Sequence, residues 1–114
     1  MEISFPNENG VFNCTTEEIV ARHGRSYASV NIALCNDGLY RQSVSIMYSY
    51  GGYFSPIGIE APGCPTLADA RTAGMEELLR RWPTPFQSDP KSVHEELAEM
   101  RQQIVNQLQQ PTFL

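Results

Sequence analysis

The residues of this chain best able to do chemistry are its three cysteines, Cys14, Cys35 and Cys64, and its two histidines, His23 and His94. A thiol beside an imidazole can act as a nucleophile, so Cys14 and His23 are the first pair to weigh. Nothing in the sequence supplies the third, orienting group, and a small half-buried cysteine is the commoner use of that residue. Cys14, His23, Cys35 and Cys64 also add up to four zinc ligands. No two of them have the short Cys-x-x-Cys type of spacing that structural zinc sites use, so no metal is expected. His94-Glu95-Glu96 lacks the second histidine of a zinc-protease helix, and Glu95, Glu96 and Glu99 read as a solvated helix face. Gly51-Gly52 and Gly58 form neither a dinucleotide fingerprint nor a Walker loop. The expectation is no catalytic residue, no cofactor and no enzyme.

The bulk properties agree with a folded domain. At 114 residues, 41 % hydrophobic and 18 % charged, the chain suits one domain with its own core and is too apolar for disorder. It has no apolar run long enough to cross a membrane as a helix. Its first residues lack a basic stretch followed by an apolar one, and its odd, scattered cysteines are not a disulfide framework. A cytoplasmic location is the expectation. The net charge of −5 is uneven: residues 1–24 and 89–114 are acidic and the middle is neutral. Nucleic acid is bound by clustered cations, and only Arg80-Arg81 is a basic pair, so nucleic acid is not expected as a direct ligand.

Which elements would position these residues? Ile3-Ser4-Phe5 and Val11-Phe12 are two apolar pieces around a turn, readable as a hairpin or as an arm laid on the domain. Residues 15–22 read as a short helix, with Thr15 and Glu18 as a capping box and Gly24 as its end. Residues 26–49 alternate apolar and polar on either side of Asn36-Asp37-Gly38. A two-residue loop there would set apolar against polar along the whole ribbon. A three-residue loop pairs Leu34 with Tyr40 and Val30 with Val44, and places Gly38 in the left-handed region. Gly51-Gly52 reads as the next turn, and Tyr53 to Ile59 as a third strand interrupted by Pro56. Thr66 to Trp82 is a helix, with Ala70 and Gly74 small enough to let it lie close to the sheet.

After a proline-rich linker at 83–88, Asp89 is placed to cap a last helix and Pro111 to stop it. Its apolar residues, Val93, Leu97, Met100, Ile104 and Leu108, form a narrow seam close to coiled-coil spacing. The chain thus divides into an α+β domain at 1–82, with an arm at 1–14, a linker, and a C-terminal helix and tail at 89–114. The fold expected is α+β: a short helix, a three-stranded antiparallel β-meander, a long packed helix and the C-terminal helix. The meander already has a helix to cover it, so the seam is expected to pair with a second copy in a homodimer.

One surface stands out. Tyr48, Tyr50, Tyr53 and Phe54 cluster around Gly51-Gly52, and aromatic residues at a tight turn are a usual ingredient of binding surfaces. The same rings could instead close one end of the core. Glu17 and Glu18, in the acidic first part, are the charged candidates beside them.

The order helix, meander, helix over residues 15–82 resembles the double-stranded-RNA-binding domain. That family uses a basic start to its last helix, where this chain reads Thr66-Leu67-Ala68-Asp69-Ala70-Arg71. The resemblance implies the fold more than the RNA activity. A tyrosine- and glycine-rich hairpin followed by Glu76-Glu77-Leu78-Leu79-Arg80-Arg81-Trp82 resembles small proteins of bacterial phages and plasmids, anti-CRISPR proteins among them. That resemblance covers about residues 40–82 and implies an inhibitor of a host defence complex. The function expected is therefore a non-enzymatic protein-binding module of that kind. The alternative is a nucleic-acid-binding module using Arg22, His23, Arg25, Arg80 and Arg81.

Overall fold

The computed structural model describes residues 2–110, which form seven strands and two helices. In chain order these are β1 (Ile3–Ser4), β2 (Val11–Phe12), β3 (Thr16–His23), β4 (Ser26–Cys35), β5 (Tyr40–Tyr48), β6 (Gly51–Phe54), β7 (Ile57–Gly58), α1 (Leu67–Arg80) and α2 (Lys91–Gln109). The class is α+β. No helix among the described residues is long and apolar enough to cross a membrane.

The β4–β5 ribbon has the register that its alternation demands. Leu34 faces Tyr40 and Val30 faces Val44. Gly38 closes the three-residue loop at φ +84°. The Cys35 N–H donates to the Leu39 carbonyl at 2.8 Å, and the Asp37 carboxylate holds Arg41 across the loop.

The expected first helix is a strand, and this overturns the three-stranded meander. β3 pairs antiparallel with β4, from Thr16 against Ile32 to His23 against Ser26. Thr15, Thr16, Ile19 and Val20 are β-branched and favour extended backbone. The Thr15 hydroxyl donates to the Ile32 carbonyl at 3.0 Å instead of capping a helix, and Glu18 reaches Arg71 of α1 at 2.6 Å. A bulge between Ile19 and Ala21 lets Val20 and Ala21 both point inward, which hides the period of two. Gly24, at φ +60° with no positive φ at Arg25, makes the tight hairpin turn. β1 lies parallel to the end of β4, Ile3 against Leu34, so the N-terminal arm continues the edge where β3 stops. The result is a mixed sheet in which β3 and β1 share one side of β4, followed by β5 and β6.

β6 pairs with β5 through Tyr48–Gly51 and Ser45–Phe54. The turn is therefore Ser49-Tyr50, and the two glycines lie in the strand. A Cβ on Gly52 would collide with the Ile46 carbonyl, which explains the glycine. The strand breaks at Pro56, and β7 turns away to pair with β2, Phe12 against Ile57. This small second sheet covers one end of the outer face, where Phe12 and Ile57 pack on Ala33 and Cys35.

Both helices cover the other face. Ala28, Val30, Ile32, Val44 and Ile46 of the sheet meet Ala70, Met75 and Leu78 of α1. A Cβ on Gly74 would strike the Val30 methyls, so the glycine sets how close α1 lies. Thr66 caps α1 by accepting the Asp69 N–H at 3.0 Å. Val93, Leu97, Met100 and Ile104 of α2 are buried in this same core, with Leu108 packed against it. The expectation of a homodimer rested on the seam having no partner within the chain; its partner is the sheet beside β3. Asp89 does not cap α2: its carboxylate accepts the Phe86 N–H, and no side chain caps the helix. Pro111 lies outside the described residues.

Glu96 is not on a solvated face either. It is 4 % exposed, accepts the Ser49 N–H at 3.0 Å and the Ser49 hydroxyl at 2.7 Å, and is bonded by the Ser26 hydroxyl. Burial pushes its pKa up, but the hydrogen bonds from Ser26 and Ser49 outweigh that and hold it below the ordinary value. The carboxylate thus pins α2 to two turns of the sheet.

Candidate functional site

The two long edges of the sheet are treated differently. On β3, the outward main chain is met by side chains of α2. Gln103 Oε1 accepts the Arg22 N–H at 2.9 Å, and Gln103 Nε2 donates to the Arg22 carbonyl at 2.9 Å. Gln107 Nε2 donates to the Val20 carbonyl at 2.6 Å, while its Oε1 accepts from Arg71. A planar amide sets N–H donors beside a carbonyl acceptor, as a strand main chain does, so Gln103 mimics the next strand and blunts the edge. The glutamine-rich sequence of α2 is the only hint of this, and it does not reveal the target.

On β6 no described residue plays that role. The Ser55 N–H donates to the Val44 carbonyl at 3.3 Å, which sets the ladder phase. Gly51 and Tyr53 turn their main chain towards β5, and Gly52 and Phe54 turn theirs away. Neither Gly52 nor Phe54 has an outward main-chain partner among the described residues.

The outer sheet face ends at this edge. One row of paired residues crosses it: Ile19, Ser29, Ser45 and Phe54. The middle is low and polar, with Ser29 fully buried and Asn31 Nδ2 donating to Ser45 Oγ at 2.9 Å. The two ends are apolar: Ile19 is 40 % exposed and Phe54 82 %. Three strand spacings, about 14 Å, separate β3 from β6, so the face is a shallow trough between two apolar rims. Met47, 51 % exposed, lies over Gly52 next to Phe54. At its far end the trough runs into a cleft of about 230 Å³ lined by Phe12, Cys14, Glu17, Asn31, Ser43 and Ile57.

Strand alternation divides the aromatic cluster. Tyr48 and Tyr53 face the helices and pack against the main core. Tyr50, at the turn, is 59 % exposed, and Phe54 points outward. Burial pushes the Tyr53 hydroxyl's pKa up, and the Arg81 guanidinium lies 4.5 Å from its ring centroid. Glu17 is exposed on the outer face beside Asn31, whereas Glu18 is on the helix face in its ion pair with Arg71. Two of the six expected contact residues thus serve the core and one an ion pair, while Met47 and Ile19 join the surface. Placing the turn at Ser49-Tyr50 would have given this division from the sequence.

The other candidates lie apart. Cys14 precedes β3 and His23 ends it, so the whole of β3, about 23 Å of extended chain, lies between them. Cys14 Sγ donates to the Thr16 carbonyl, and His23 Nε2 is 3.1 Å from Glu99. Cys35 is buried in the second core and Cys64 half-buried, and no three potential metal ligands gather among the described residues. Arg22, His23 and Arg25 are at the β3 edge, while Arg81 is at the β6 edge, so the cations form no single stripe. Comparison with protein-family models, with curated proteins and with solved structures finds no match for this chain.

Proposed function

We propose that this chain is a non-enzymatic protein-binding module, and that its partner sits on the corner where β6 meets the outer sheet face. The observation that carries the reading is Phe54, 82 % exposed, beside an open strand edge and an exposed Met47. Chains that work alone seldom leave such neighbours together in water. Covering Phe54 would contribute about 2 kcal/mol of binding free energy, enough to make it the anchor of a modest interface. The capped β3 edge strengthens the argument, because this fold can close an edge and leaves β6 open. The narrower reading, a mobile-element inhibitor of a host defence complex, rests on the resemblance of residues 40–82 and names where to look for the partner.

The test is affinity capture from bacterial lysate with the wild-type chain, Phe54→Glu and Phe86→Glu. Phe86 is also exposed but lies in the linker before α2. A specific protein retained by the wild type and by Phe86→Glu, and lost with Phe54→Glu, supports the reading. Capture indifferent to Phe54→Glu contradicts it.

A further inference from the structure

We infer that the partner contributes an extended strand that continues the sheet at β6, carrying a carboxylate side chain opposite Tyr53 and apolar side chains on either side of it. The inference rests on the protein-binding reading above and adds the chemistry of the partner.

The main chain specifies the strand. Gly52 and Phe54 each present an N–H and a C=O away from β5, two residues apart, which is the repeat of an antiparallel ladder. An extended segment would satisfy these four groups at once; a helix laid there would satisfy none of them. Gly51 and Gly52 put no side chain in its way. Pro56 ends the docking length, so the added ladder is short and side chains must supply selectivity.

The side chains specify the pattern. A residue facing Tyr53 would be a non-hydrogen-bonded pair, the closer kind, with its side chain on the helix-bearing face. There it meets Arg81, whose guanidinium lies over the Tyr53 ring and whose ion pair with Glu77 is long, at 3.6 Å. The Tyr53 hydroxyl donates to the Arg81 carbonyl at 3.4 Å and holds that end of α1 beside the edge. A carboxylate can take a guanidinium in two parallel hydrogen bonds. The residues before and after it would face outward, against Phe54 and Met47, which suits apolar side chains. A second copy is the poorer occupant. Self-pairing about Tyr53 would set each Arg81 against its symmetry mate, and like charges directly opposite destabilise a strand pair.

A phage-displayed library of random peptides about ten residues long, selected on the full chain, tests this. Expected are peptides with an acidic residue between two apolar ones, whose binding slows amide exchange at Gly52 and Phe54. Phe54→Ala removes the ring and keeps the N–H. Phe54→Pro removes the N–H as well while leaving the bonds to β5, and should weaken a selected peptide about tenfold further. Selection on Arg81→Glu should replace the acidic residue by a basic one, which stands as an independent arm if Phe54→Pro does not fold. No enrichment, equal effects of Phe54→Ala and Phe54→Pro, an unchanged preference with Arg81→Glu, or self-association through β6 would each overturn the inference. Peptides that need Phe54 but leave both amides exchanging freely would overturn the strand and keep the protein-binding reading. Capture of the natural partner indifferent to Phe54→Glu removes the reading itself.

Discussion

The side-chain amide of Gln103 grips the main chain of Arg22 from both sides, accepting its N–H and donating to its carbonyl at 2.9 Å each. A helix residue thereby completes the outermost strand of a sheet. Replacing Gln103 with Ala should cost about 1 kcal/mol, the net worth of exposed hydrogen bonds of this kind, and should speed amide exchange at Arg22. Urea melts with residue-resolved exchange check both. Unchanged exchange at Arg22 would mean the amide is not its cap.

Glu96 ties stability to pH. Its folded pKa is lowered from an ordinary value of 4.5, so its contribution is fully present above that value. It is lost as pH falls through the folded pKa. Melts across the acid range should show this limb in the wild type and a flatter one in Glu96→Gln. The variant should also lose about 1–3 kcal/mol at neutral pH, because Ser26 and Ser49 lose a charged acceptor. Parallel acid limbs in the two proteins would contradict the assignment.

Gly38 stands at φ +84° with open space around its Cα, so conformation alone decides what it tolerates. Gly38→Val should cost about 1–3 kcal/mol, and Gly38→Asn less, since asparagine visits that region more readily. Three equal urea midpoints would refute the bulged turn.

The seam of α2 faces its own sheet, with Leu97 2 % exposed and Ile104 fully buried. Leu97→Glu combined with Ile104→Glu would bury two charges in a core whose total stability is about 5–15 kcal/mol, and the chain should unfold. Circular dichroism decides: a double variant that stays folded would show the seam serving an interface instead.

These elements differ in how far the sequence reveals them. The β4–β5 ribbon was legible because every residue obeys one alternation and only one loop length keeps the faces matched. β3 was not, because the Thr15–Glu18 spacing imitates a capping box and the bulge at Val20 breaks the alternation. β2 and β7 are two residues each and exist only by pairing with each other. At the candidate site, Tyr50 and Phe54 were legible as aromatics near a turn. Their separation from Tyr48 and Tyr53 was not, since Gly51-Gly52 reads as the turn itself. The open edge was invisible, because openness depends on which strand Gln103 and Gln107 reach.

The proposed function requires the β3 edge, capped by Gln103, to be closed and the β6 edge to be open. Residue-resolved amide exchange on the free chain tests it most directly. Arg22 and Tyr53 should be protected, the first by Gln103 and the second by β5, while Gly52 and Phe54 should exchange as freely as Tyr50 at the turn. Gly52 and Phe54 exchanging as slowly as Tyr53 would contradict it, because the β6 edge would then already be covered.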